Sequence, residues 1–376
     1  MRGCRIGIIL CVAALLCYGL FMIFSATELR CGSGDLFQFV KKQGIAIGAG
    51  LIAALFFYLF DYRLWKKYWK LSLFFYIVVI VLLALPLFGD GVKGSKRWIE
   101  YGGFSFQPSE LAKFASILLT ATYISIFGWK INTVKVFLLW YTAILACAGL
   151  IVLEPDYGAG LIFLALAFLT MYVGSLEYKF LIPSIFVPVA VIAVIVCCFD
   201  DNRIRRIREA TQDGSYSHQQ NAALVAIQEG GLYGVGYNAS NQKWGWLPEA
   251  HTDYIFSIGA EELGLLRFTI PVILLFLMIL FFGLRIAYLV PDKHGKMIAY
   301  GMTVLIVGQA GFNFCVIAGW GFSKGIALPF ISYGGSNVII ALSAIGAILN
   351  VSRQNTLQNK RIRSKILKTN FKRGGK

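Results

Sequence analysis

With 376 residues, 58% of them hydrophobic and only 14% charged, the chain is no ordinary soluble globular domain, in which about a quarter of residues carry charge. Its net charge of +16 invites a nucleic-acid reading that the placement of the charge excludes. Arg63, Lys66, Lys67 and Lys70 sit between two apolar runs, and Arg353, Lys360, Arg361, Arg363, Lys365, Lys368, Lys372, Arg373 and Lys376 follow the last one, which is the basic cytoplasmic flank of a membrane protein, suited to anionic membrane lipid.

The apolar runs fall at 6–26, 44–60, 71–89, 109–127, 136–153, 158–174, 181–199, 268–289, 297–318 and 337–351. Roughly 20 apolar residues cross the hydrocarbon core as a helix, so the predicted fold class is an all-α polytopic membrane protein of about ten transmembrane helices. Met1, Arg2 and Arg5 ahead of an apolar run resemble a signal peptide, but Ile6–Ala26 is long enough to span and is read as a retained first helix. Loops 61–70, 128–135, 175–180 and 290–296 are short and basic, which puts them and both termini in the cytoplasm. Loops 27–43, 90–108, 154–157, 200–267 and 319–336 take the opposite side, with one long extracytoplasmic loop, 200–267, between helices 7 and 8. Its Arg203, Arg205, Arg206 and Arg208 offend the charge rule only mildly, because long loops translocate largely regardless of charge. Residues 1–352 form one membrane domain, and 353–376 a basic cytoplasmic tail expected to be disordered. Cys4, Cys11, Cys17, Cys147 and Cys315 lie in apolar runs as small hydrophobes. No cysteine or histidine spacing suggests a metal site, and a disulfide among Cys31, Cys197 and Cys198 stays open.

Several polar groups lie close to the spans. Gly89 to Lys96 has Walker-A spacing with Ser95 and Lys96 in the wrong order, outside the cell, so no nucleotide cofactor is expected. Arg97-Trp98 pairs a phosphate-gripping fork with an interfacial aromatic, or is simply an anchor. In Gln107-Pro108-Ser109-Glu110-Leu111-Ala112-Lys113, Ser109 is the expected N-cap, and Glu110 and Lys113 share one helix face. They form either an ordinary ion pair with a snorkelling lysine or a pair in a polar cavity that holds an anion or fixes a catalytic group. Glu154-Pro155-Asp156 could order the loops or bind a cation through oxygen, or be a solvated turn. Asp253 stands where the long loop re-enters apolar sequence, a place that suits a general base. Gly334-Gly335, at the end of Leu328–Ser336, could offer backbone N–H groups to a phosphate or make a simple turn.

These stretches carry a resemblance. Lys96-Arg97-Trp98-Ile99, Phe106 to Lys113, Glu154-Pro155-Asp156, Gly234-Val235-Gly236, Leu247 to Tyr254 with Glu261-Glu262-Leu263-Gly264, and Leu328 to Ser336 occur in the order found in the SEDS family of bacterial peptidoglycan polymerases, across nearly the whole chain. The LPFISYGGS form looks more like the division branch, FtsW, than RodA. The resemblance implies a glycosyltransferase that polymerises lipid II on the outer face of the bacterial cytoplasmic membrane, in septal wall synthesis. It implies Asp253 as the essential acidic residue, the general base, with Arg97, Glu110, Lys113, Glu249, His251, Ser332 and Ser336 toward the substrate, and Mg or Mn as a divalent cation that could assist. It also implies a class B penicillin-binding protein, other division proteins and membrane lipid as partners. Three places depart from the family pattern: His218-Gln219 and Ala222-Ala223 replace a Tyr-Gln and a Gln-Ser pair, and Asn337 replaces a serine. They bear on substrate grip in the long loop, since the Asp253 stretch is intact. Two other classes remain: a lipid II flippase, which needs no general base, and a non-catalytic division scaffold, which needs none of these side chains.

Overall fold

Apolar segments satisfy their backbone polar groups inside a membrane only by closing them within helices or barrels. The computed structural model is accordingly helical, and it describes residues 1–27, 37–88, 97–101, 104–154, 156–199, 218–244, 251–320 and 326–374. In chain order its helices are α1 (Arg2–Thr27), α2 (Gln38–Leu59), α3 (Arg63–Lys67), α4 (Trp69–Ala84), α5 (Pro108–Phe127), α6 (Val134–Leu153), α7 (Tyr157–Val173), α8 (Tyr178–Phe199), α9 (His218–Gly230), α10 (Ile255–Gly264), α11 (Ile270–Leu289), α12 (Lys293–Ile317) and α13 (Gly335–Gly374). Among the described residues, eight helical segments are long and apolar enough to cross a membrane, and the shorter Tyr157–Val173 and Tyr178–Ala190 stand at the sixth and seventh expected runs.

Helix α13 is the axis of the bundle: 83% of its apolar window is buried, against 17% for α2. Small residues let the two approach, since a side chain at Gly346 would strike the backbone of Ala54 and one at Gly50 the side chain of Leu342. At one end, Asn350 donates to the carbonyls of Tyr58 (2.6 Å) and Phe60 (2.9 Å) and accepts from Tyr62 N, and Asn355 donates to Leu289 O. Met1 lies against Asn355, so the start of the chain and the end of the last span share this end, as expected. The candidate site lies at the other.

Three features differ from the sequence expectation. A two-stranded antiparallel hairpin, β1 (Ile99–Tyr101) with β2 (Phe104–Phe106), interrupts the all-α pattern and pairs Ile99 with Phe106. Helix α13 runs on to Gly374 through the basic tail expected to be disordered; residues 353–373 contain neither Gly nor Pro and many good helix formers. The eighth span begins at Ile255, not at 268, and is broken rather than straight. Gly264 adopts φ +80°, a π-helical turn covers Leu265–Thr269, and α11 follows. The break strands backbone groups, and the long loop supplies their partners. Val235 N and Gly236 N donate to Glu261 O (2.9 Å) and Glu262 O (3.0 Å), while Leu265 N and Leu266 N donate to Gly231 O (2.9 Å) and Leu232 O (3.1 Å).

Candidate active site

Asp253 lies in a turn, His251–Tyr254, directly ahead of α10. The turn is held by backbone contacts from two other elements. Asn313 of α12 donates from Nδ2 to Asp253 O (2.9 Å) and also to Ile326 O (2.7 Å). Tyr333 N donates to His251 O (3.0 Å). The buried His251 ring packs edge-on to Phe39 of α2, with centroids 5.6 Å apart, and 5.7 Å from Tyr333. Asp253 itself is half-buried.

One turn along α12, Gln309 faces the same way as Asn313, because residues four apart lie on one helix face. Its Nε2 donates to Glu110 Oε2 (3.0 Å), and Glu110 Oε1 accepts from Lys113 Nζ at 2.7 Å. Lys113 is only 2% exposed. A lysine so buried is tolerated when it is paired, and a group of this kind at membrane depth ordinarily faces the bundle interior. A single face of α12 thus ties the Asp253 turn to the Glu110–Lys113 pair.

The start of α5 reaches a second group. Gln107 N donates to Ser336 Oγ (2.9 Å), which donates to Ser105 O (3.3 Å). Gln107 Nε2 donates to Asp156 Oδ2 (3.1 Å), while Asp156 Oδ1 caps α7 by accepting from Ala159 N (3.1 Å). Arg97 Nη1 lies 3.8 Å from Asp156 Oδ2. Beside them Glu154 is 2% exposed, and neither carboxylate oxygen has a hydrogen-bond partner, nor has Arg97 Nε. Burial, reinforced by the Asp156 carboxylate and opposed by Arg97, pushes the Glu154 pKa up to about 8. Among the described residues, no group of three or more His, Cys, Asp or Glu side chains could hold a metal ion.

Sequence-predicted residues therefore fall into three sets. Asp253, His251, Glu110 and Lys113 are joined through α12, and Arg97 and Ser336 through Gln107 and Asp156. Ser332 serves the turn: its Oγ accepts from Leu328 N (2.8 Å), and it is fully buried. Gly334 N donates to Gln43 Oε1 (3.2 Å), so this N–H is already taken. Ser109 is not the N-cap. Gln107 occupies that position, Pro108 opens the helix, and Ser109 Oγ is buried without a partner. Glu249 and Cys31 lie outside the described residues, as do the side chains of Cys197 and Cys198; Cys4, Cys11, Cys17, Cys147 and Cys315 are free thiols. Sequence reasoning missed Gln309 and Asn313. Two amides four apart in an apolar run were the available signal, because an amide at that depth must find a partner.

Comparison with known proteins identifies the family and the fold. The family described as cell cycle protein, FtsW/RodA/SpoVE, matches residues 6–357. The chain is 34% identical over 351 residues to a probable peptidoglycan glycosyltransferase FtsW of Trichlorobacter lovleyi, covering 92% of each. It is 34% identical to stage V sporulation protein E of Bacillus subtilis over 345 residues, 90% of this chain and 94% of the relative. Among solved structures, a chain of a peptidoglycan synthase complex that coordinates polymerization and crosslinking superposes with TM-score 0.74 at 25% identity, covering 93% of this chain and 97% of that one. Thermus thermophilus RodA superposes with TM-score 0.68 at 26% identity, covering 93% of this chain and 96% of that one.

Proposed function

The chain belongs to the FtsW/RodA/SpoVE family of cell cycle proteins, and we infer from that membership and from its site that it is a peptidoglycan glycosyltransferase of cell division. It is a multi-pass membrane protein. Its substrate is lipid II, and the site end of the bundle faces outward from the bacterial cytoplasmic membrane, since the opposite end carries Arg63, Lys66, Lys67 and Arg353.

The observation that carries the reading is the single face of α12 that holds the Asp253 turn at Asn313 and the Glu110–Lys113 pair at Gln309. A polymerase that joins two lipid-linked sugars must remove one proton and stabilise one departing pyrophosphate. Asp253 takes the proton of the acceptor hydroxyl. The freed oxygen forms a bond to the anomeric carbon of the donor, and the bond to the lipid pyrophosphate breaks, its electron pair leaving with the phosphate. That group needs positive charge and no general acid. Lys113, positioned by Glu110, and Arg97 supply the charge in a site of low water content, where such interactions are strong. His251 steadies the turn against Phe39 and Tyr333, Ser336 holds the start of α5 at Gln107, and Glu249 belongs to the same stretch as His251.

The described residues hold no set of three protein ligands for a metal ion, so a hard divalent cation, Mg or Mn, would be held at the α6–α7 turn only by one or two carboxylates, with substrate phosphate and water completing its shell. Glu154 offers two buried oxygens without protein partners, and Asp156 stands beside it. Bound there, it would neutralise the carboxylates and add positive charge near Arg97. The partner we propose is a class B penicillin-binding protein, which crosslinks the strand as it emerges, alongside other division proteins.

Purified protein and its transpeptidase, given lipid II in detergent, should produce glycan chains. Asp253→Asn should lower the rate by about 10²–10⁴-fold, the span of a general base, while lipid II binding persists. Polymerisation by Asp253→Asn at the unaltered rate, or none by the parent protein, would sink the reading.

A further inference from the structure

Two neighbouring acidic residues, Glu261 and Glu262, sit inside the eighth span and take no part in the chemistry of Asp253. Both are buried, at 0% and 1% exposure. They splay toward different parts of the same loop segment. Glu261 accepts from Ser240 Oγ (2.5 Å) and from Asn241 N (2.6 Å). Glu262 accepts from Ser25 Oγ of α1 at 2.6 and 2.7 Å on its two oxygens, and from Lys243 Nζ at 3.1 Å. Lys243 Nζ is satisfied further by Asn238 O (2.9 Å), Asn238 Oδ1 and Ser25 Oγ (3.3 Å). Tyr237, one residue earlier, stacks on Phe21 of α1 with centroids 4.1 Å apart.

This cluster is a poor device for stability alone. Withdrawing an ammonium and a carboxylate from water costs several kcal/mol each, and apolar replacements of buried pairs are often neutral or stabilising. What such a pair adds is direction: it accepts one geometry and rejects its neighbours. The direction matters here because the Asp253 turn comes next in the chain. Only residues 244–250 separate Lys243 from His251, and the turn beyond His251 is held from the other side by Tyr333 N and Asn313. The stretch that delivers Asp253 is therefore fastened at both ends, upstream to α1 and α10 and downstream to α12 and the 326–334 segment. Without the ion pair the upstream end keeps the Glu261 contacts to Ser240 and Asn241, but more chain geometries become available at the point where the stretch leaves α10, and fixing one of them costs more entropy.

We propose that Lys243 and Glu262, with Ser25, are positioning residues for glycan polymerisation: their buried ion pair locks the outer loop to α1 and α10 and thereby sets the Asp253 turn. The proposal rests on the reading of Asp253 as the general base. The experiment uses the full-length protein with its transpeptidase and compares Lys243→Met/Glu262→Gln, which removes both charges while keeping size and a partner for Ser25, with Ser25→Ala, which leaves the ion pair in place. Three quantities are read: melting temperature, kcat and KM for lipid II, and hydrogen exchange of the 251–254 amides.

The expected result for the double variant is a melting temperature close to that of the parent, with kcat lowered at least about tenfold, as small misplacements of a reacting group produce. KM should stay within about twofold, and exchange at 251–254 should quicken. Ser25→Ala should move kcat and exchange in the same direction by less. A folded double variant with unaltered kcat, a loss confined to KM, or unchanged exchange at 251–254 overturns the proposal. Should the double variant fail to fold, Ser25→Ala decides by the same criteria. Exchange does not depend on turnover, so a parent protein that makes no polymer refutes the Asp253 reading while the exchange comparison still tests the lock.

Discussion

Replacing Glu154 by Gln removes an ionisation that the folded protein resists. The carboxyl is 2% exposed, and burial beside Asp156 moves its pKa from 4.5 to about 8. Between those values the unfolded chain releases the proton and the folded protein keeps it, so stability falls as pH rises. The advantage of the neutral carboxyl is whole below pH 4.5, declines through the window and is gone above about 8. At 1.36 kcal/mol per unit, ionising the unfolded chain at pH 7 disfavours folding by about 3 kcal/mol. Glutamine is neutral throughout and escapes this term, although its buried amide also needs partners, which leaves a net gain of about 1–2 kcal/mol at pH 7. The assay is thermal melting in nanodiscs from pH 5 to 8 at one scan rate, in EDTA. The parent protein should lose several degrees more than Glu154→Gln over that range, about 5 °C by the usual scaling. Adding Mg should flatten the parent curve alone, because a cation on Glu154 stabilises the ionised form. Parallel curves in EDTA would refute the argument, since the buried carboxyl would then carry no excess proton.

Lys113→Met should destabilise by up to about 3 kcal/mol, because it leaves the half-buried Glu110 with only Gln309; Glu110→Gln/Lys113→Met should restore most of the melting temperature. Polymer assays on that restored double variant should still show the activity lost, and recovery of turnover would mark the pair as purely structural. Gly264→Ala should lower stability by at least about 3 kcal/mol, since φ +80° there is strained for any other residue, and a Cβ would strike the backbone of Tyr233 and Gly234. Gly311→Ala, in open helical surroundings, is the control, and melting curves should show it unchanged or slightly stabilised.

The membrane bundle was legible because hydropathy reports helices directly, and the Glu110–Lys113 contact because three-residue spacing fixes a shared face. The start of the eighth span was not. Glu261, Glu262 and Arg267 interrupt the apolar run over 255–267 with three charges, yet Lys243, Ser25 and loop N–H groups make the carboxylates affordable inside the bundle. Hydropathy counts a charge but not the partner that arrives from elsewhere in the chain. The same blindness hid Asn313 and Gln309, whose partners lie on α5 and in the 251–254 turn, and it misread Ser109, whose neighbour Pro108 opens the helix one residue earlier.

The partnership between α2 and α13 has a consequence for how the protein is made. The second span leaves the ribosome among the first, but what completes it comes from the last. Asn350 must arrive before the carbonyls of Tyr58 and Phe60 gain these partners, and Gly346 before Ala54 finds its neighbour. Until then α2 waits in the bilayer with its best contacts nearly the whole chain away, the slow kind of closure. A nascent chain halted before residue 346 therefore holds an inserted second span that lacks the contacts of Gly346 and Asn350.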